Sequence, residues 1–84
     1  MFKFIFSKRL NKTITKLDRN VAIELNKKIK QIISCDMLTI QHFKNLRKPL
    51  SHLKRVHVGS YVLTFQIEGD IIIFEDFVHH DKAY

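Results

Sequence analysis

The sequence contains little cysteine, glycine or proline. Of its 84 residues, one is cysteine, two are glycine and one is proline. The lone Cys35 excludes an internal disulfide, and a domain this small usually carries several disulfides in an oxidising compartment. With 45% hydrophobic residues, so few glycines and prolines argue against a disordered chain. We therefore expect one globular domain over residues 1–84 with one modest core.

Long apolar runs and metal-binding motifs are also missing. The opening residues MFKFIFSKRL place a lysine inside an apolar run that is too short for a signal segment or a membrane span. Neither a CxxC nor an HExxH arrangement is present to supply zinc ligands. His79 and His80 are adjacent in what should be extended chain, so we expect them to point in opposite directions. We expect a soluble, cytoplasmic protein with no metal, no cofactor and no membrane partner.

Acidic residues are scarce in most of the chain. Residues 1–55 contain 14 Lys and Arg against 3 Asp and Glu, whereas residues 56–84 contain 1 against 5. The formal net charge is therefore +11 in the first part, −4 in the second and +7 in total. Such a field favours a polyanion, most plausibly nucleic acid, although an acidic protein partner or a solubilising surface would suit the same charge.

The first part of the sequence predicts a strand followed by two helices. FKFIF places three phenylalanines on one side of an extended segment, with the period of a strand. Ser7 stands where a helix N-cap is expected, and apolar residues then recur at helical spacing through Leu17. Asp18 and Asn20 suit a turn, after which a second helical pattern continues to Ile33.

The second part predicts a three-stranded antiparallel meander. Residues 36–53 lack a sustained period and contain Pro49, so we expect a connection held to the core by a few apolar side chains. Alternating strands follow, separated by turns at residues 59–60 and 68–70. The last strand is apolar on both faces through Phe74, which is typical of a central strand. The order predicts an α+β domain with both helices on one face of the sheet.

A polar face is predicted on the second strand. Arg55 and His57 alternate with two valines, so both leave the strand on the side opposite the valines. Arginine can hold a phosphate through two parallel hydrogen bonds, and histidine exchanges protons near neutral pH. We expect one of the two C-terminal histidines and Tyr84 to lie on the same open face. The alternative interpretation is a solvent-exposed polar surface without a specific function.

These side chains suit metal-free cleavage of RNA. The substrate's own 2′-hydroxyl attacks the neighbouring phosphate, so no protein nucleophile is needed. A base takes the hydroxyl proton, an acid protonates the leaving 5′-oxygen, and cations stabilise the charge on the pentavalent phosphate. Stacking of RNA bases on aromatic side chains would add about 1–3 kcal/mol for each base.

The segment LKRVHVGSYVLTFQIEGDIIIFEDFVHHDKAY resembles part of the RelE/ParE toxin superfamily. The likeness consists of a basic strand, a G-x-Y turn, a second strand, a Gly/Asp turn, an apolar strand and a terminal tyrosine. It implies a βααβββ fold and a small cytoplasmic toxin that is neutralised by a cognate antitoxin. In the RelE branch such toxins cleave messenger RNA on the ribosome without metal, and in the ParE branch they poison DNA gyrase.

The resemblance also implies roles for individual residues. Arg55 and His57 match basic positions that contact or activate the scissile phosphate. His80 lies near the family's C-terminal basic or histidine position, a candidate general acid or base, and Tyr84 matches the terminal catalytic or stacking tyrosine. The further basic residues expected to bind RNA phosphate are Lys54, Lys82, Arg47 and Lys48.

Val62 is a departure from the family pattern. The family commonly has arginine directly after the G-x-Y tyrosine, and losing one such donor can lower a rate by about 10²–10³. Three functions stay open: a messenger RNA endonuclease, a gyrase inhibitor that performs no chemistry, and a toxin-like protein that only binds its antitoxin. For the first, we expect Val62→Arg to raise activity.

Overall fold

The computed structural model describes residues 2–48 and 50–82 and gives the predicted α+β order with one helix added. Its elements, within those residues, are β1 Lys3–Phe6, α1 Lys8–Ile14, α2 Arg19–Ile33, α3 Met37–Gln41, β2 Lys54–Val58, β3 Tyr61–Glu68, β4 Ile71–His79 and a short 3-10 turn His80–Lys82.

The four strands form one sheet in the order β1-β4-β3-β2. The meander β2-β3-β4 is antiparallel as predicted, and β1 pairs with β4 in parallel, with Lys3 opposite Ile71. Strand β4 therefore lies between β1 and β3. Its central position confirms the interpretation of its apolar residues on both faces.

Two-residue turns join the strands of the meander. Gly59 and Gly69 stand at the first position of each turn, with φ of 60° and 61°. Among the residues of known placement, only glycines adopt positive φ. Glycine at this position, followed by a residue of negative φ, is the pattern of a type II′ hairpin turn, whose twist matches that of the strands. The turn between β2 and β3 brings the carbonyl of Ser60 to the end of the sheet.

The helices begin where the sequence predicts them to begin. The Leu10 N–H donates to Ser7 Oγ at 3.0 Å, so Ser7 is the N-cap of α1. Asp18 is the N-cap of α2, although its side chain makes no capping hydrogen bond. Helix α1 ends at Ile14, earlier than the apolar pattern suggested. In the described part of the chain no helix is long and apolar enough to cross a membrane.

The main apolar core lies between the helices and one face of the sheet, which confirms the predicted layering. Side chains of α2 spaced by three and four residues point at alternate residues of the central strands. Phe65 and Phe74 pack together with their ring centroids 5.9 Å apart. The fully buried members of this core are Leu10, Leu25, Ile29, Ile32, Ile40, Val58, Leu63, Phe65, Ile72, Phe74 and Phe77.

Helix α3 was not predicted. Residues 36–53 were expected to be an irregular connection, but Asp36 caps a helix of five residues, accepting from the Thr39 N–H at 2.7 Å. This hydrogen bond lowers the pKa of the Asp36 carboxyl below its ordinary value. Ile40 is the one residue of α3 that is buried. A single apolar residue cannot produce a helical period, so the pattern gave no signal.

Candidate functional site

Arg55 and His57 lie side by side on β2 and are both exposed. They pair with Thr64 and Val62 of β3 respectively. The intervening Val56 belongs to the opposite, core-facing side, where it packs against the main core. The two polar side chains therefore share one face of the sheet, as the alternation predicted.

A β-bulge in β4 extends this face across the sheet. Thr64 pairs with Asp76, and the next residue, Phe65, pairs with Phe74, which leaves Glu75 as the extra residue. A bulge turns two consecutive side chains toward the same side of a strand. Asp76 consequently lies in one cross-strand row with Arg55 and Thr64, two strand spacings or about 10 Å from β2.

A cleft of about 360 Å³ opens on the same side of the molecule. Its wall joins three parts of the chain: the start of α1, the bulge of β4 and the connection before β2. The lining residues are Ser7, Arg9, Leu50, His52, Leu53, Glu75 and Asp76. The connection therefore reaches across part of the sheet face.

This covering makes the face less open than expected. Val62 and Thr64 are buried on it, as is Leu53 of the connection. Leu53 does not belong to the main core, so a second, smaller apolar contact exists on this side. The exposed part of the face is its β2 edge, which carries Arg55 and His57.

The charge of this region is mixed rather than purely basic. Arg9 donates to Asp76 Oδ2 at 3.5 Å, with the arginine side chain 71% exposed and the aspartate 8% exposed. Gln66 donates to Glu75 Oε2 at 3.3 Å. Ser7 Oγ donates to the Glu75 carbonyl and so holds the bulge against the start of α1. Two cationic or protonatable groups, Arg9 and His52, thus lie beside two carboxylates.

Lys54 does not join the phosphate-binding residues that we predicted. Its side chain leaves β2 on the opposite side from Arg55. The Lys54 ammonium donates to the carbonyls of Gln41 and Phe43 at 3.3 and 3.1 Å, and to Asn45 Oδ1 at 3.1 Å. All three donors of the ammonium are engaged, so Lys54 fixes the connection after α3 to β2.

The expectation that His79 and His80 point in opposite directions is wrong. Their ring centroids are 4.5 Å apart, because the chain leaves the strand at His79 and enters the 3-10 turn. The His80 N–H donates to the Ser60 carbonyl at 2.8 Å, and its ring Nδ1 lies 3.0 Å from the same oxygen. His80 is therefore held at the end of the sheet, against the turn that joins β2 and β3.

The other predicted residues lie at separate places. Arg47 and Lys48 are exposed in the connection before β2, and Lys82 is exposed in the 3-10 turn. Tyr84 lies outside the described residues. Of the predicted site residues that the structure describes, Arg55 and His57 are the two placed side by side on one face of one strand.

Arg9, His52, Glu75 and Asp76 were missed by the sequence interpretation. Arg9 looks like any basic residue in the first turn of a helix, and it reaches the cleft because β1 pairs with β4. Glu75 and Asp76 look like an ordinary polar end of a strand, since nothing in their identity marks a bulge. His52 stands in a stretch without periodicity, so no sequence signal distinguished these four residues.

Comparison with known proteins decides the family. The model of the ParE toxin of type II toxin–antitoxin systems, parDE, matches residues 4–84. The chain belongs to the RelE/ParE family of toxins. The resemblance inferred from the second half of the sequence is thereby confirmed.

Individual proteins agree with this assignment. A toxin named RelE4 from Methanocaldococcus jannaschii is 34% identical to this RelE/ParE toxin over 87 residues, which cover 100% of this chain and 92% of the relative. The RelB–RelE antitoxin–toxin complex from Methanococcus jannaschii contains a chain with 26% identity and a TM-score of 0.61, covering 92% of this chain and 91% of that one. The RelBE2 toxin–antitoxin complex from Mycobacterium tuberculosis has the same fold, with a TM-score of 0.77 at 16% identity and coverage of 93% and 96%.

Proposed function

We propose that this toxin is a metal-independent, ribosome-dependent endonuclease of messenger RNA. The observation that carries the proposal is the exposed pair Arg55 and His57 on one face of β2. The pair supplies a permanent cation and a group that can accept a proton, and the cleft on the same side of the sheet is lined by a further cation, Arg9. The cytoplasm, where ribosomes act, is the corresponding location.

The proposed reaction uses the RNA as its own nucleophile. His57 takes the proton of the 2′-hydroxyl, and the 2′-oxygen forms a bond to the adjacent phosphorus. Arg55 donates two hydrogen bonds to the phosphate as negative charge develops on it. The bond to the 5′-oxygen breaks, and that oxygen leaves with a proton from a general acid. The products are a 2′,3′-cyclic phosphate and a 5′-hydroxyl end.

Three residues are candidates for the general acid, and comparing the cleavage rates of their variants would identify it. Tyr84 remains our prediction for this role, since phenol is a competent proton donor and the family likeness points to it. His52 is a second candidate, because it lines the cleft on the same side as Arg55. His80 is a weaker candidate than its sequence position suggests, because its ring is bound to Ser60 at the end of the sheet.

The test is cleavage of a defined messenger RNA in a reconstituted translation reaction. Cleavage within codons is expected, and a 2′-deoxy substitution at the scissile nucleotide is expected to abolish it. Arg55→Ala and His57→Ala should each lower the rate about 10²-fold, as expected for loss of a preorganised donor or a proton-transfer group. Lys27→Ala, on the exposed surface of α2, is the matched control and should leave the rate unchanged.

Two results would contradict the assignment. Cleavage that survives the 2′-deoxy substitution would exclude the substrate as nucleophile. Equal rates for the Arg55, His57 and Lys27 variants would remove the face of β2 from the reaction. His80→Ala is expected to retain most of the activity. Of Tyr84→Phe and His52→Ala, the variant that loses more activity identifies the general acid.

Gyrase inhibition is the second candidate function. It is favoured by the match to the ParE family model, and by Val62, which stands where the family commonly has an arginine that serves as a transition-state cation. A supercoiling assay with purified gyrase separates the two functions, because an endonuclease should leave supercoiling unchanged. A protein inactive in both assays that still binds its antitoxin would be the toxin-like binder considered from sequence.

A cognate antitoxin is the proposed protein partner. Two solved structures that resemble this chain are antitoxin–toxin complexes, which supports this partner. The basic surface would suit an acidic, partly disordered segment that folds on binding. Copurification of the toxin with the product of its neighbouring gene tests this proposal.

A further inference from the structure

We propose that His79, His80 and Asp81 bind one divalent transition-metal ion of the zinc(II) or copper(II) class. One ligand atom from each of the three residues lies within 4.8 Å of the others. The arrangement exists because the chain turns sharply after His79, so that two neighbouring imidazoles and the next carboxylate meet at the end of β4.

The hydrogen bonds of His80 leave its second nitrogen available for a metal. Its Nδ1 lies 3.0 Å from the carbonyl oxygen of Ser60, and a carbonyl can only accept. In the neutral ring Nδ1 therefore carries the proton and Nε2 carries a lone pair. Nε2 is the atom that faces Asp81 Oδ1, at 3.1 Å.

The Nδ1 atom of His79 lies beside the same carboxylate, where it accepts a backbone hydrogen bond. The donor is the Asp81 N–H at 3.3 Å, so this nitrogen is unprotonated in the neutral ring. The same Nδ1 lies 3.5 Å from Asp81 Oδ2. A metal at His79 Nδ1 therefore has to replace this backbone hydrogen bond, and it would then share the Asp81 carboxylate with His80 Nε2.

The distances suit a transition metal. Metal bonds of about 2.1 Å at tetrahedral angles separate ligand atoms by about 3.4 Å. The two nitrogen–oxygen separations, 3.1 and 3.5 Å to different oxygens of Asp81, bracket that value. The ligand atoms as a group lie within 4.8 Å of one another, so the exposed side chains have to rotate inward to bind one ion. Imidazole nitrogens favour zinc and copper over magnesium and calcium. The Ser60 carbonyl acts as the outer partner that metal-bound histidines commonly have, since it fixes the ring orientation of His80.

The site uses neither residue of the proposed cleavage pair. It lies at the end of β4 against Ser60, whereas the cleavage pair lies on β2. The three side chains are 39%, 55% and 74% exposed, so water can complete the coordination and the histidines can rotate to adjust. Metal binding here would fix the 3-10 turn, and it does not depend on whether the protein cleaves RNA.

Titration calorimetry of the untagged full chain with zinc chloride tests the proposal. We expect one equivalent of zinc to bind with a dissociation constant in the micromolar range or below. His79→Ala, His80→Ala and Asp81→Ala should each weaken binding at least tenfold. His42→Ala replaces an exposed histidine elsewhere and is the matched control, with unchanged affinity expected.

Copper(II) provides a second measurement that reports the ligands themselves. The electron paramagnetic resonance spectrum of the one-to-one complex should show coupling to two nitrogens, and to one nitrogen in either single histidine variant. Amide NMR spectra of the variants should match the unaltered protein, which separates loss of ligand from loss of fold.

Several outcomes would overturn the proposal. One is the absence of saturable zinc binding to the folded protein. Another is an affinity that the combined His79→Ala and His80→Ala variant retains. A third is a response of the histidine ring resonances to pH without any response to zinc, which would show that a proton alone occupies the position between the imidazoles and Asp81.

Discussion

At the scale of single residues, the surroundings of Val62 in the fold are not evident from its position in the sequence. It lies on the middle of the three antiparallel strands, between His57 on one side and Val78 on the other, and it is buried. A guanidinium at this position has to leave the apolar contact and extend along the face toward His57. The residue that replaces the usual family arginine is thus part of the packing of this side of the sheet.

Val62→Arg is expected to have two opposite effects. Overpacking should destabilise the fold by about 1–3 kcal/mol, while a guanidinium beside His57 should raise the cleavage rate per folded molecule. Urea unfolding and the cleavage assay, corrected for the folded fraction, measure the two effects separately. Val62→Met matches the length without the charge. An equal gain from methionine, or no gain from arginine, would show that added charge at this position does not assist the reaction.

At the scale of elements, α3 depends on one carboxylate. Because the hydrogen bond from Thr39 lowers the pKa of Asp36 in the folded state, the ionised cap stabilises the fold above the ordinary aspartate pKa. That stabilisation is lost as the pH falls through the folded-state pKa, below about pH 4. Below both values the contribution is absent.

Asp36→Asn isolates this contribution, because asparagine caps a helix without titrating. The melting temperature of the unaltered protein should fall relative to that of Asp36→Asn as the pH is lowered from neutral to about 3. Carbon NMR of the Asp36 carboxyl should show the lowered pKa directly. A constant difference between the two melting temperatures across this range would contradict the assigned cap.

The elements also show what the sequence can predict. Strands and hairpin turns were predictable because alternation and Gly59 or Gly69 are local signals. The exposure of Arg55 and His57 followed from the same alternation. The bulge at Glu75 and the turn after His79 were not predictable, since each depends on pairing with a neighbouring strand. Those two irregularities decide which polar side chains meet.

On the scale of the whole molecule, folding leaves the charge separated. The exposed lysines of α1 and α2 lie in the basic part of the chain, and the meander with the 3-10 turn after it carries five of the eight acids. The helices pack on the core side of the sheet, and the start of α1, with Arg9, reaches round to the cleft on the side of Arg55 and His57. An acidic antitoxin segment would therefore be steered first to the helical surface.

The association rate with the proposed antitoxin should reflect this separation. We expect it to fall about tenfold or more as ionic strength rises from about 0.05 to 0.5 M. Replacing Lys8, Lys12 and Lys16 by glutamine should reduce that salt dependence, whereas Glu68→Gln should not. Stopped-flow measurements provide the rates, and a salt dependence that survives the lysine replacements would place the steering surface elsewhere.

The parallel pairing of β1 with β4 also constrains how the protein folds during its synthesis. Lys3 pairs with Ile71, so β1 cannot complete its pairing until β4 has been synthesised. Contacts this distant in sequence form late in folding, because the intervening loop must close first. During most of translation the nascent chain therefore lacks its finished sheet, including the junction of α1 with the bulge. A cell that makes this toxin has until the synthesis of β4 to supply whatever restrains it.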